Sequence, residues 1–172
     1  MNTLVAALQL LVAAAFLSIP LVRHRYGTTA MAGAQTEPAR QGVRTSVLAE
    51  NGMRFDASGH ETAAAAGVAA VMVTMAALNL LDSSWVSTST WIFQSLVLLG
   101  DCVILYSRLT ATRSVRAAFA RKGDPELAGV DVPALHKAAE DGFPTWTRTL
   151  QNVRDTVVFG ASVLALALPA AV

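Results

Sequence analysis

Four apolar runs, separated by polar stretches, set the pattern of this chain. Residues 3–22, TLVAALQLLVAAAFLSIPLV, and 62–81, TAAAAGVAAVMVTMAALNLL, each have about the twenty residues that a bilayer-spanning helix needs. The third run, 85–107, opens on Trp85 and Trp91 and closes near Tyr106 and Arg108, as interfacial aromatics and flanking cations do. The fourth, 156–172, is short for a span and contains Gly160, Ser162 and Pro169. Basic residues follow the first run (Arg23, Arg25) and none precedes it, the reverse of a secretion signal, so an uncleaved helix is expected.

The intervening stretches carry their own signals. Residues 26–57 are polar and contain glycines and Pro38, which reads as a loop; Asn51-Gly52 within it suits either a tight hairpin or a simple turn. Ser58-Gly59-His60-Glu61 has capping-box spacing and should open the second helix. Asp82-Ser83-Ser84 should end it and begin a short connection. The third helix is expected to continue past Arg108 to a stop at Gly123-Asp124-Pro125, because only Gly100 interrupts a good helix-forming sequence. Asp131 can cap a short helix over 132–141, and a further helix should begin at Thr145 and run into the last span. The expected fold is therefore all-α: one integral membrane domain over 1–172, a four-transmembrane-helix bundle, with a helical loop between spans three and four.

Composition fits that pattern. Only 15% of the 172 residues are charged, against roughly 25% in soluble domains, and mean hydropathy is +0.47. The thirteen Lys and Arg residues cluster after the first run and after the third, and the positive-inside rule then makes 23–61 and 108–155 cytoplasmic with both termini outside. Abundant Ala, with eleven Arg to two Lys, points to a GC-rich bacterial genome, and with the apolar spans the expected location is a bacterial plasma (inner) membrane. A lone Cys102 excludes an internal disulfide.

Candidate chemistry is sparse. Asp101 lies roughly 15 Å along the helix from Trp91 and roughly 10 Å from Arg108, inside the hydrocarbon. A charge facing lipid there would cost about 2.5–3.5 kcal/mol, so Asp101 is expected to face a partner helix. Gln94, Asp101 and Arg108 recur every seven residues and share one helix face. The expected role of Asp101 is an interhelical or intersubunit hydrogen bond; a proton relay needs successive titratable groups, and the other spans offer only Gln9, Ser18, Thr74, Asn79 and Ser162. Ala63 and Gly67, with Ala66 and Ala70, are small residues four apart that allow a neighbouring backbone to approach closely. Arg108, Arg113, Arg116, Arg121 and Lys122 suit anionic lipid headgroups. Nucleic acid is not expected, since the same loop brings Asp124, Glu126, Asp131, Glu140 and Asp141. His24 and His60 lie at the membrane edge, which suits solvated histidines better than haem or metal ligands, and no cofactor is expected.

No loop gathers a nucleophile with a base, so no enzyme is expected. These features suit a non-catalytic accessory subunit or assembly factor of a larger bacterial inner-membrane complex, respiratory or cell-envelope, embedded in the bilayer beside other membrane subunits. The alternative is a small oligomeric transporter or proton-coupled channel built around Asp101, although the halves of the chain show no internal repeat of the kind many transporters have.

Overall fold

The computed structural model describes residues 2–82 and 85–170. Seven helices follow one another: α1 (Asn2–Arg40), α2 (Val47–Glu50), α3 (Gly59–Leu80), α4 (Val86–Lys122), α5 (Pro125–Ala128), α6 (Val132–Glu140) and α7 (Trp146–Ala170). There is no strand among the described residues, so the hairpin reading of Asn51-Gly52 is overturned; Val47–Glu50 forms a helical turn and Gly52 turns the chain at φ +61°. Three helices, α1, α3 and α4, are long and apolar enough to cross a membrane, and the protein is a membrane protein on that ground.

Two compact units form. The first combines residues 1–21, 59–105 and 148–172, and so gathers one segment each of α1, α3, α4 and α7. Its core is Val12, Ala13 and Phe16 of α1, Ala69, Met72 and Met75 of α3, Val97 of α4, and Val158 and Ala161 of α7. These positions recur at three- and four-residue intervals, which puts each set on one helix face. α3 begins at Gly59, directly after Ser58 where the capping signal stands, and ends before Asp82; Ser83 and Ser84 lie outside the described residues.

The second unit combines residues 22–58 and 106–147. Here the sequence reading needs correcting, because residues 26–40 are not loop but the continuation of α1. Glycines that look like helix breakers serve close packing instead. A Cβ on Gly33 would stand 2.7 Å from the Ala138 carbonyl oxygen, and one on Gly142 would stand 2.4 Å from the Ala30 Cα, so the α6 region lies directly against the α1 backbone. Burial of Ala30 and Ala34, with Leu48, Leu135 and Ala139, rewards the extended helix. α4 runs unbroken through Arg108 to Lys122, as the sequence predicts, and Gly123 ends it at φ +65°. Asp131 caps α6 by accepting from the Ala134 amide at 3.1 Å. That short helix buries Val132, Leu135 and Ala139 within its own unit.

Arg44 ties the unit together. Its guanidinium meets Asp124 at 2.7 Å and Glu50 at 3.0 Å and also pairs with Glu126, joining the segment after α1 to the start of α5. Hydrogen bonds from Glu50, Asp124 and Glu126 push the Arg44 pKa up, and the same bonds hold Glu50 and Asp124 below the usual carboxylate range. Gln41 exchanges two hydrogen bonds with the Asp131 backbone, and Arg23 donates to the carbonyls of Phe55 and Asp56.

His136 of α6 gives this unit a pH dependence. Its ring is half-buried, edge-to-face on Phe55 at 6.3 Å, and its Nδ1 lies 3.2 Å from the Thr112 hydroxyl. Burial lowers its pKa, opposed by nearby Glu140. A depressed folded-state pKa means that the unfolded chain takes up the proton first, so stability is full above the unfolded value of about 6.5 and falls as pH drops below it. The Arg-paired carboxylates lose their contribution only in a separate window, below about pH 4. Amide exchange of the second unit should therefore accelerate between pH 7 and 5.5 in the wild type beyond its intrinsic pH dependence. His136→Gln should remove that excess, and an unchanged profile in the variant would refute the assignment.

Candidate functional site

Unit one holds an axis of buried polar side chains on α4. Thr90, Gln94 and Asp101 are all fully or almost fully buried, and their spacing of four and seven residues keeps them on one face over about 16 Å of helix. Each meets a polar group from another helix. Asn79 of α3 donates to Gln9 Oε1 of α1 at 3.0 Å and to Thr90 Oγ1 at 3.3 Å, closing a three-helix layer. One turn on, Gln94 Nε2 donates to Ser162 Oγ of α7 at 2.7 Å.

Asp101 ends the axis in an ion pair. Its Oδ1 lies 2.8 Å from an Arg154 terminal nitrogen of α7, with the side chains 0% and 7% exposed. Arg154 also meets Asp155 Oδ1 at 2.7 Å and lies over the Phe16 ring of α1 at 5.0 Å, a cation–π distance. Three helices thus converge on one guanidinium. The contacts 94–162 and 101–154 run in opposite directions, so α4 and α7 are antiparallel here.

The sequence reading placed Asp101 and Gln94 on an inward face, and both are buried there. Arg154 falls, by hydropathy, in the loop before a span starting at 156, whereas α7 begins at Trp146 and carries Arg154 inside unit one. The thirteen basic residues are therefore not all loop residues. The missed signal was periodicity: Arg154, Val158, Ala161, Ser162 and Ala165 share a buried face. Arg108, the third member of the predicted stripe, is exposed.

Other candidates lie elsewhere. Ala63, Ala66, Gly67 and Ala70 are exposed, and a Cβ on Gly67 would meet nothing within 4 Å, so among the described residues no helix packs on that small face. α3 buries Ala69, Met72, Met75, Ala76 and Asn79 instead. Arg113, Arg116, Arg121 and Lys122 are exposed on α4, as are Cys102, His24 and His60. Among the described residues, no group of three or more His, Cys, Asp or Glu is placed to hold a metal ion. No protein-family model, curated protein or solved structure matches the chain.

Between the Gln94–Ser162 layer and the Asp101–Arg154 pair lie Val97, Val158 and Ala161, all buried. The polar groups therefore form separate layers with apolar packing between them.

A buried pair is costly to break and cheap to replace. Asp101→Leu or Arg154→Leu alone strands a charge and should destabilise unit one by about 3–5 kcal/mol, whereas the double Leu variant should recover most of that loss. Denaturant titration of the purified protein in detergent measures all three. Additive losses in the double variant would show that the two side chains do not act as a pair.

Proposed function

We propose that the chain is a non-catalytic accessory subunit of a larger membrane complex. The observation that carries this reading is the pairing of each buried polar layer with another helix of the same chain, the Asp101 charge being balanced by Arg154. A transport pathway needs polar groups that can exchange partners along a continuous path, and the Val97–Val158–Ala161 layer interrupts one. The outside of the bundle favours association. The Ala63–Gly67 face of α3 is uncovered and lets another backbone approach closely.

In this reading α7 joins α1, α3 and α4 as a fourth span. The two stretches rich in Lys and Arg face the cytoplasm and the termini lie outside, in a bacterial inner membrane. The remainder of the lipid-facing surface, with Ile92, Phe93, Leu96, Leu99 and Val103 of α4 exposed, suits acyl chains. Respiratory and cell-envelope complexes are the expected settings.

The alternative is a proton-coupled channel that uses Asp101. One observation favours it: among the described residues Gln94 Oε1 is buried without a hydrogen-bond partner, and a water could bind there. Tagged protein purified in mild detergent, and the same protein alone in proteoliposomes, separate the two readings. A stoichiometric membrane subunit should co-purify, its yield should fall severalfold in Gly67→Leu, and the isolated chain should conduct no protons. Protein that purifies alone and carries a proton flux would overturn the proposal.

A further inference from the structure

The charges of this chain are unevenly satisfied. Every carboxylate has a partner within the chain, with Arg44 alone engaging Glu50, Asp124 and Glu126. The cations divide differently. Nine of the thirteen Lys and Arg side chains have a partner, Arg25 through the Tyr26 ring, and the four that have none among the described residues are Arg113, Arg116, Arg121 and Lys122. All four lie within ten residues of one helix, α4, where 106–122 contains no acidic residue. They are exposed, and so are Ala117 and Ala120 between them. At 100° per residue, Arg113, Arg116, Ala117, Ala120 and Arg121 fall on the outer face of α4, opposite the packed Thr112, Val115 and Phe119.

Membrane geometry decides what this face meets. Arg116 to Lys122 lie about 12–21 Å along the helix axis beyond Arg108, where the span should reach the interface. The headgroup layer is only about 5–8 Å deep on each side. A continuous helix at the usual tilt of about 20° carries Arg116, Arg121 and Lys122 past it. Arg113 stands at its edge. Lipid headgroups are thus within reach of the first turns of this extension and not of its outer half. A second copy of this chain is no better an occupant, because its carboxylates are already engaged.

We propose that the outer face of α4 over residues 113–122 docks an acidic helix of a partner protein in the aqueous phase. The small Ala117 and Ala120 let the two helix axes come close, while the flanking Arg residues meet carboxylates spaced three or four apart on the partner. This rests on the accessory-subunit reading and adds to it the place and chemistry of one contact.

A photo-crosslinking amino acid at Ala117 of the full-length protein, in its native membrane, tests the proposal. Ultraviolet light should yield one dominant protein adduct, crosslinked in a segment with at least two carboxylates within a helical turn. Arg113→Glu with Arg116→Glu should reduce the adduct at least tenfold, and Arg113→Lys with Arg116→Lys should retain it. These side chains have no partner to lose among the described residues, and the size-exclusion profile should confirm that both variants fold. Adducts with lipid or nucleic acid alone, no adduct, a non-acidic crosslinked segment or an adduct unaffected by charge reversal would each overturn the docking site. If the charge-reversed protein keeps its full adduct while a stoichiometric subunit still co-purifies, the docking site fails and the accessory-subunit reading stands. If no subunit co-purifies even with the wild type, that reading itself fails.

Discussion

A guanidinium buried where three helices converge constrains unit one more than any other group. Away from water, Arg154 requires a negative partner within reach, and it requires the whole of its charged edge to be occupied. Asp101 and Asp155 supply the carboxylates and Phe16 supplies an electron-rich face. These demands fix three relationships at once: the register of α7 against α4, the level of α1 beside them, and the burial of one face of α4. Apolar packing alone is permissive, since one small side chain can slide past another at little cost. A desolvated ion pair is not permissive, because a register shift of one residue strands both charges. The Gln94–Ser162 and Gln9–Asn79–Thr90 contacts repeat the same logic more gently, through neutral hydrogen bonds.

The second unit solves a different problem with different means. It has a modest apolar core around Val47, Phe119, Leu127 and Val132, with a smaller cluster at Leu48 and Leu135. Close backbone approach at Gly33 and Gly142, and the convergence of three carboxylates on Arg44, hold its segments in place. Concentrating the acids on Arg44 and on local partners leaves the outer face of α4 uniformly cationic. Internal cohesion and an external charge thus follow from one distribution of residues.

Helix existence was largely legible from the sequence. The 86–122 helix, its stop at Gly123 and the Asp131 cap follow from local chemistry, in which a few residues decide the outcome. Residues 26–40 were illegible for the opposite reason. Gly27, Gly33 and Pro38 argue against helix locally, and the packing that overrides them comes from later in the chain, at Asp56 against Gly27 and, more than a hundred positions on, at Ala138 and Gly142. Yet Ala30, Ala34 and Glu37 are buried at helical intervals, a pattern that polarity and glycine content masked. In the site, Asp101 announced itself as a charge within an apolar run. Arg154 did not, because a hydropathy window beginning at Thr156 excludes it and adjacent Asp155 makes the pair look like an ordinary loop end. A buried charge predicts that an opposite charge exists; only tertiary register says which one.

Reciprocal exchange of the two charges asks most directly whether the pair organises the bundle. Asp101→Arg and Arg154→Asp should each lower the thermal unfolding temperature in detergent sharply, and combining them should restore most of the loss, since the exchanged charges meet at the same place. A combined variant as unstable as the sum of the single variants would contradict the account.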